Sequence, residues 1–286
     1  MSSPWAGGSP GAGHRHGAAA GALVASRLGG SLLGDLPDGL RPADQAEAYA
    51  VQRCAHGLLE RSGFGPRAGW KIGCTTPVMQ EYLGISSPCA GAMFQANIWR
   101  GHHRFLVGPP RRLGVECEIA VRVGRDLPPG GAACTEDDVA GAVVSCMAAI
   151  EVVEDRYADY PALGTPTLIA DDFFHHRCVL GPEHEDFDPR RLVSCTASMT
   201  VNGEEVGHGQ GSDIMGEPLQ VLAWLARSCA QWGSPLRAGD IVLLGSLVKT
   251  HWMAEGDVVS ISNRELGEAG ASFAGRDGTP APVGGK

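Results

Sequence analysis

The most constraining feature of this sequence is a glutamate placed inside a long apolar run. Residues 143–153 read as a continuous buried segment, and Glu151 lies in it between Ile150 and Val152. An unpaired charge in such a place costs several kcal/mol, so Glu151 needs a partner. Arg156, which follows shortly after, is one candidate for that partner. A bound metal ion is the other.

A second segment carries two more glutamates on one face of a strand. Residues 115–123 alternate, so that their apolar side chains face a core while Glu116 and Glu118 share the opposite face. Two carboxylates about 7 Å apart along a strand repel each other unless a positive group lies between them. A hard divalent cation with oxygen ligands suits that place. An exposed polar strand face is the alternative for this pair, whereas one metal ion shared with Glu151 accounts for all three acids.

The composition excludes several classes of protein. The chain has 286 residues, a formal net charge of -9 and 43% hydrophobic residues, which argues against nucleic acid or an anionic membrane as its partner. Its nine cysteines include no Cys-x-x-Cys pair, which favours free thiols in a reducing compartment over a zinc site. No apolar stretch approaches the ~20 residues of a membrane span. We therefore expect a cytoplasmic protein, with a signal peptide or an organelle-targeting segment as weaker alternatives.

The order of the helix and strand patterns predicts an α+β fold. Residues 1–17 are rich in glycine, alanine, serine and proline and are expected to form a disordered tail. We expect a helical N-terminal region over residues 18–108 and a β-rich catalytic domain over residues 109–274. A second disordered tail is expected over residues 275–286. One clear helix inside the β-rich part is predicted to begin near Pro218.

The three glutamates stand in a longer pattern that resembles a known family. Glu116-x-Glu118 followed by Glu151-Val-Val-x-x-Arg156 is similar to the 2-keto-4-pentenoate hydratase and 4-oxalocrotonate decarboxylase branch of the fumarylacetoacetate hydrolase superfamily. Further matching pieces occur in the same order over residues 18–273: Ala48-Tyr49-Ala50-Val51-Gln52, Gly69-Trp70-Lys71-Ile72-Gly73, Leu83-Gly84-Ile85, Gly124-Arg125-Asp126-Leu127, Ala170-Asp171, Leu219 to Ala226, Ala238-Gly239-Asp240-Ile241 and Gly245-Ser246-Leu247. One such piece carries little weight, but their common order makes the resemblance strong.

The resemblance implies a fold, a cofactor and an assembly. The implied fold is a helical N-terminal part followed by a β-rich, fumarylacetoacetate-hydrolase-like mixed β fold. The implied cofactor is magnesium, with manganese as the alternative, held by Glu116, Glu118 and Glu151 and binding the carboxylate and C2 oxygen of a 2-oxo acid. The family also implies a homo-oligomer, and a complex with a decarboxylase of the same pathway is a further expectation.

The resemblance also assigns residues around the substrate. It makes Lys71 a catalytic group and places the backbone of Gly245, Ser246 and Leu247 beside the substrate. Without the resemblance, a second interpretation of Lys71 is equally good. Between Trp70 and Ile72, it could be a surface lysine whose aliphatic stem covers its apolar neighbours.

Departures from the family pattern fall around the expected pocket. Gln95 stands where the hydratases carry an aspartate held to take part in proton transfer, and an amide cannot titrate. The family's Asp-Asn pair is Asp171-Asp172 here, so either acid is a candidate for that role. His251 follows the Gly-Ser-Leu turn and, like Gln95, is expected at the substrate. The pairs His102-His103 and His175-His176 are expected in loops or at the surface, although one of these histidines is a candidate to line the pocket.

The expected activity is that of a magnesium-dependent lyase in aromatic compound catabolism. It would add water to a 2-hydroxypenta-2,4-dienoate-like acid and give a 4-hydroxy-2-oxo acid. Decarboxylation of a 4-oxalocrotonate-like acid uses the same metal-bound carbonyl and is the first alternative. Carbon–carbon hydrolysis of an acylpyruvate ranks lower, because the N-terminal part offers no convincing water-activating His/Glu pair. A non-catalytic, metal-bound scaffold is the alternative from a different class, and Gln95 is the feature that favours it.

Overall fold

A computed structural model describes residues 10–37, 39–128 and 134–275 of the chain. Seven α-helices lie in these ranges: α1 (Pro10–Gly29), α2 (Gln45–Leu59), α3 (Pro77–Leu83), α4 (Glu136–Ala140), α5 (Tyr160–Leu163), α6 (Thr165–Ala170) and α7 (Pro218–Gln231). The same ranges contain thirteen strands: β1 (Arg67–Gly73), β2 (Cys89–Phe94), β3 (Ile98–Arg100), β4 (His102–Val107), β5 (Arg112–Val123), β6 (Val143–Asp155), β7 (His175–Leu180), β8 (Thr196–Val201), β9 (Glu204–Gln210), β10 (Ile241–Ser246), β11 (His251–Trp252), β12 (Val258–Asn263) and β13 (Gly267–Gly275).

The strands form two mixed sheets. The larger has eight strands in the order β2-β1-β10-β5-β6-β7-β3, with β11 paired to β5. The smaller has five strands in the order β4-β13-β12-β8-β9. Most pairs are antiparallel, but β1 with β10, β3 with β7 and β4 with β13 are parallel. The predicted α+β class is therefore confirmed.

The large sheet separates two apolar clusters. Ile119 of β5 belongs to the main core, whereas Ala120 of β5 and Ala149 of β6 belong to a smaller cluster. Glu118 and Glu151 lie two residues from these alanines along their strands, and side chains two residues apart share a face. Strand alternation therefore places the acids on the face of the smaller cluster, with the apolar side chains of β5 toward the main core as predicted.

Helix boundaries follow local signals. Asp44 caps α2 by accepting a hydrogen bond from the backbone N–H of Glu47. Helix α7 begins at Pro218, as predicted, because proline at the first helical position loses no intrahelical hydrogen bond. Its apolar side packs into the main core, which includes Leu222 and Leu225. Within the described residues, no helix is long and apolar enough to cross a bilayer.

The predicted N-terminal tail is wrong from residue 10 onward. Helix α1 begins at Pro10, and Ala19, Ala20 and Leu23 on it are buried. Alanine favours helix, and packing against α2 stabilises a segment whose composition suggested disorder. The first nine residues and residues 276–286 lie outside the described residues.

The predicted boundary between a helical region and a β-rich domain does not separate two bodies. Strands β1 to β4 precede residue 109. Of these, β1, β3 and β4 pair with β10, β7 and β13 from the later part of the chain, and β2 pairs with β1. Residues 67–107 are therefore integral to both sheets. Helices dominate only the part before Arg67.

Candidate active site

Three glutamates converge at one end of the β5–β6 pair. Glu116 lies directly opposite Glu151 in the strand register, and Glu118 lies opposite Ala149. One carboxylate oxygen from each glutamate lies within 4.8 Å of the others. Glu118 and Glu151 are buried and Glu116 is half-buried. This geometry agrees with the expectation from the sequence that the three acids meet, because all three lie on the same face of the β5–β6 pair. We call the three side chains the acid cluster.

Two positively polarised groups approach the same oxygen of Glu151. Lys71 on β1 is only 2% exposed, and its Nζ lies 3.5 Å from Glu151 Oε1 while donating to the Phe173 carbonyl at 2.7 Å. The His175 Nδ1 lies 2.8 Å from the same oxygen. The alternative interpretation of Lys71 as a surface lysine is wrong. Arg156, the other candidate partner of Glu151, pairs instead with Asp171.

The pKa values of the cluster reflect crowded negative charge. Burial, followed by the charge of Glu151, raises the pKa of Glu116 to about 7. Burial and both neighbouring carboxylates raise the pKa of Glu118 well above its usual range. Burial acts in the same direction on Glu151, but the Lys71 charge and the His175 hydrogen bond outweigh it and lower that pKa. Three carboxylates near one ammonium leave an excess of negative charge that a divalent cation would neutralise.

The end of β10 and the segment that follows it, residues 245–251, hold the acid cluster in place. The Gly245 N–H donates to Glu118 Oε2 at 2.7 Å, and the Thr250 hydroxyl donates to Glu116 Oε1. Gly245 has a φ of +136°, and a side chain there would come within 2.8 Å of Thr75. A glycine is therefore required at this position. The sequence alone did not indicate a role for Thr250.

The other residues of this segment lie close by. The Leu247 N–H donates to the Cys117 carbonyl at 2.8 Å, which ties the segment to β5. The Ser246 hydroxyl donates to the Val248 carbonyl at 2.6 Å. His251 pairs with Val115 in β11, one residue before Glu116, and is half-buried. The predicted substrate-side residues at the end of β10 and just after it are thus gathered beside the acid cluster.

Asp171 and Asp172 form ion pairs with groups other than the acid cluster. Asp171 Oδ2 accepts from Arg156 Nε at 2.6 Å and from the Tyr157 hydroxyl at 3.0 Å. Asp172 contacts His56 Nε2 at 2.7 Å and Arg27 NH1 at 3.0 Å. Burial would raise the pKa of Asp172, but the charges of His56 and Arg27 lower it far below its usual range.

These contacts do not favour the predicted proton-transfer role. Both carboxylates already accept from buried donors, and Asp172 also accepts from the Ala92 N–H at 3.0 Å. A carboxylate whose pKa is strongly lowered stays ionised and is a poor proton donor near neutral pH. The arrangement is that of a buried clamp between the N-terminal helices and the large sheet.

Gln95 does not lie where it was predicted. It follows the last residue of β2, its side chain is exposed, and its N–H donates to the Pro66 carbonyl at 3.0 Å. Gly91, on the same strand, is the register partner of Lys71. Four residues of strand span roughly 13 Å, so Gln95 is displaced from Lys71 by about that distance along β2. The placement of Gln95 against the substrate is therefore corrected.

His175 lies buried in β7, whereas the sequence predicted a loop or surface position for it. Adjacent histidines in a strand point to opposite faces, which suggested a loop or the surface. The register of the β6–β7 pair shifts between Val152 and Val153. Val152 pairs with Arg177 and Val153 pairs with His175, so His176 has no register partner on β6. This bulge turns the His175 ring toward Glu151 and leaves it 2% exposed. No local sequence signal marks the bulge.

Comparisons with known proteins agree with this geometry. The model of the fumarylacetoacetate (FAA) hydrolase C-terminal family matches residues 92–274. A 2-keto-4-pentenoate hydratase of Paraburkholderia phymatum is 34% identical over 80% of this chain and 86% of its own length. A protein of Pseudomonas putida named TodF product hydratase is 34% identical over 81% of this chain and 85% of its own length.

A solved structure shares the fold over nearly the whole chain. It is a 4-oxalocrotonate decarboxylase from Pseudomonas putida G7 in complex with magnesium and adipate, with a TM-score of 0.81 and 24% identity. The similarity covers 91% of this chain and 97% of that one. The predicted fumarylacetoacetate-hydrolase-like fold is thus confirmed. The family match and the relatives above 30% identity together show that this chain belongs to the 2-keto-4-pentenoate hydratase and 4-oxalocrotonate decarboxylase family of the fumarylacetoacetate hydrolase superfamily.

Proposed function

We propose that this chain is a divalent-metal-dependent lyase that hydrates a 2-hydroxypenta-2,4-dienoate-like acid to a 4-hydroxy-2-oxo acid. The observation that carries the proposal is the acid cluster with Lys71 beside it, in a chain whose relatives at 34% identity are named hydratases. A reaction of this kind needs an electron sink at the C2 oxygen and a group that holds the C1 carboxylate. The cluster and its neighbours supply both kinds of group.

The donor set fits magnesium, with manganese as the alternative. Three carboxylates offer hard oxygen ligands, and burial together with their mutual repulsion raises the pKa values of Glu116 and Glu118. The decarboxylase that shares this fold was crystallised with magnesium in one structure and with calcium in another. Glu116, Glu118 and Glu151 would hold the ion. Their outer partners are Thr250, the Gly245 N–H and His175, which fix the carboxylate orientations.

The chain's own residues would orient the substrate and carry charge. A bound magnesium ion supplies Lewis-acid polarisation of the C2 oxygen. The Lys71 ammonium, held by the Phe173 carbonyl, adds positive charge beside the substrate carboxylate. The overall reaction adds one water across the C4–C5 double bond, with hydroxyl to C4 and hydrogen to C5. It also converts the C2 enol to the ketone, with loss of the C2 hydroxyl proton and gain of a proton at C3. The backbone of residues 245–247, whose Gly245 and Leu247 N–H groups are bonded to Glu118 and Cys117, would lie beside the substrate.

Turnover of the dienol tests the proposal. Purified protein with magnesium is mixed with 2-hydroxypenta-2,4-dienoate, and the loss of its ultraviolet absorbance is followed. We expect absorbance loss that EDTA stops and that magnesium restores. Glu151→Gln should abolish it, whereas Glu136→Gln, an exposed acid on α4, should leave it unchanged. No absorbance loss at high enzyme concentration contradicts the hydratase proposal.

The same assay separates the alternatives. Carbon dioxide release from 4-oxalocrotonate would identify a decarboxylase, and cleavage of an acylpyruvate to two acids would identify a hydrolase. Metal binding with no turnover of any 2-oxo acid would identify a scaffold.

We also propose a cytoplasmic homo-oligomer. All nine cysteines are free, which suits a reducing compartment. Light scattering of the purified protein would give the oligomer size. Co-purification with a decarboxylase of the same pathway would test the expected complex.

A further inference from the structure

A small cavity adjoins the acid cluster through a shared histidine. His175 contacts Glu151 through Nδ1, and the same residue lines a cavity of about 70 Å³. Liquid water occupies ~30 Å³ per molecule, so the cavity has room for about two water-sized groups or one carboxylate. It is too small for a sugar or a nucleotide.

The cavity is lined by more positive than negative charge. Arg27, Arg111 and Arg177 contribute three guanidinium groups, and Glu154 contributes the one carboxylate among the lining residues. Glu154 Oε2 accepts from Arg111 NH1 at 3.1 Å, and the same oxygen lies 3.9 Å from Arg156 NH1. One acid oxygen is thus shared between cations. Arg27 is paired with Asp172 and Asp171, so the excess of positive charge on the wall is that of Arg177.

Two guanidinium nitrogens of the cavity's wall residues have no hydrogen-bond partner in the described part of the chain. They are Arg27 Nε and Arg111 Nε. The side chain of Arg27 is 9% exposed and Arg111 is 7% exposed, so bulk water does not solvate them freely. Buried donors in proteins are nearly always hydrogen-bonded, which indicates that an acceptor occupies this space. An oxyanion supplies acceptors and neutralises the excess charge.

The neighbouring pKa values report the same positive field. Burial, then the charges of Arg177 and Arg156, lower the pKa of His176 far below its usual range. Burial lowers the pKa of Arg177, the charge of Glu154 opposes this shift, and the smaller effect of the Arg27 charge adds to it. His176 and Arg177 are both half-buried, so they mark the side of the cavity nearest to solvent.

We propose that this cavity is an anion site for a carboxylate-sized oxyanion, with Arg177 as its solvent-side cation. Two sources share this chemistry. One is a free small carboxylate. The other is the distal carboxylate of a dicarboxylic 2-oxo acid whose first carboxylate is held at the acid cluster, and this second source rests on the proposed function. Arg177 is the residue to test, because Arg27 and Arg111 also hold the N-terminal helices through Asp172 and backbone carbonyls.

Acetate binding to metal-free protein tests the site without relying on catalysis. The protein is kept in EDTA at constant ionic strength, so that acetate has no metal to bind, and is titrated calorimetrically with sodium acetate. Acetamide has the same shape without the charge and is the ligand control. We expect saturable binding of acetate and none of acetamide. Equal responses to the two, or no acetate binding, would overturn the proposal.

Arginine variants test whether acetate binds in the cavity. Arg177→Gln should weaken acetate binding about tenfold or more, because it removes a charge-assisted hydrogen bond. Arg177→Lys should retain part of the affinity, and Arg264→Gln, an exposed arginine outside the cavity lining, should match wild type. Unchanged affinity in a folded Arg177→Gln protein contradicts the assignment. If that variant does not fold, the comparison of acetate with acetamide on wild type decides.

A competition experiment distinguishes the two sources. With magnesium present, acetate is titrated against 2-oxoadipate and, separately, against 2-oxopentanoate. Competition with the dicarboxylic acid alone identifies the distal carboxylate of the substrate as the occupant. Simultaneous binding of acetate with both acids identifies a free anion. Acetate binding in EDTA stands whether or not the dienol is turned over, so failure of the hydratase proposal and failure of this one are separate results.

Discussion

Lys71 and His175 approach the same oxygen of Glu151 from two different strands. The ammonium lies 3.5 Å and the imidazole nitrogen 2.8 Å from Oε1. Glu151 is therefore the one acid of the cluster whose pKa is lowered, and it is ionised before a metal arrives. A ligand that is already charged and oriented loses less freedom when a cation binds. Glu151, whose place in an apolar run most constrains how the chain can fold, is also the acid of the cluster that two positively polarised groups support.

Removing the His175 imidazole should weaken metal binding without removing a ligand. We expect His175→Ala to lower the affinity for magnesium or manganese about 10- to 100-fold, because Glu151 loses its orienting hydrogen bond. Calorimetric titration of metal-free protein measures this. His102→Ala, an exposed histidine on β4, is the control. Equal affinities of His175→Ala and wild type would show that the imidazole does not support the metal site.

Asp171 should prove to be structural. Asp171→Asn leaves the buried Arg156 without its closest carboxylate, and we expect a loss of about 3 kcal/mol or more in the free energy of unfolding. Urea denaturation measures the loss. Retained stability together with lost turnover would instead restore the proton-transfer role predicted from the sequence.

The acid cluster could be predicted from the sequence because its signals are local. Alternation in residues 115–123 and an acid within a buried run each identify a strand face without knowledge of the rest of the fold. The histidine at position 175 and the clamp around Asp172 could not be predicted in this way. The first depends on a register slip between β6 and β7, and the second joins Asp172 to Arg27, which is 145 residues away in sequence. Resemblance to a family also misplaced Gln95, because a shared motif position does not fix where a substituted side chain lies.

At the scale of elements, Glu183 ties together three strands of the large sheet. Its carboxylate accepts from Arg122 of β5 and from the Ser145 hydroxyl of β6, and it lies 2.8 Å from Arg100 of β3. The hydrogen bond from Arg122 is the main cause that lowers the pKa of Glu183 to about 2, with partial burial opposing it. These contacts join β3, β5 and β6 near Arg122, where the register of the β5–β6 pair shifts.

This contact predicts a specific dependence of stability on pH. The pKa of Glu183 is lowered on folding, so its contribution is present above the unfolded value of about 4.3 and is lost as the pH falls toward 2. Glu183→Gln should be about 1 kcal/mol less stable than wild type at pH 7, since the ion pairs are partly solvated. The difference should shrink as the pH is lowered to about 3. Denaturation curves at both pH values measure it, and a pH-independent difference contradicts the assignment.

At the scale of the whole molecule, the acid cluster couples metal binding to stability. Without a cation, the fold confines three carboxylates within 4.8 Å of one another. A cation that binds only the folded state stabilises it by about 2.7 kcal/mol at a concentration of 100 times its dissociation constant. Thermal unfolding therefore reports on the site even when no substrate is known.

The variant Glu118→Gln should reverse the usual sign of an active-site substitution. Burial and like charges raise the pKa of Glu118, so its charge opposes folding near neutral pH. In EDTA we expect the variant to be more stable than wild type, and in excess magnesium less stable. The midpoint of thermal unfolding, measured under both conditions, tests this. A variant that is less stable than wild type in EDTA would show that Glu118 contributes mainly through its hydrogen bond with Gly245.

The pairing of β5 with β6 has a consequence for the construction of chimeras from two related proteins. All three acids lie on this one antiparallel pair, whereas Lys71 reaches them from β1, which joins β5 only through β10. Residues 112–155 could thus be transplanted from a relative as one unit and bring a complete set of metal ligands with them. The recipient would keep its own lysine strand and the three arginines of the anion cavity, Arg27, Arg111 and Arg177. A chimera built in this way would carry cation affinity from the donor and choice of substrate from the host.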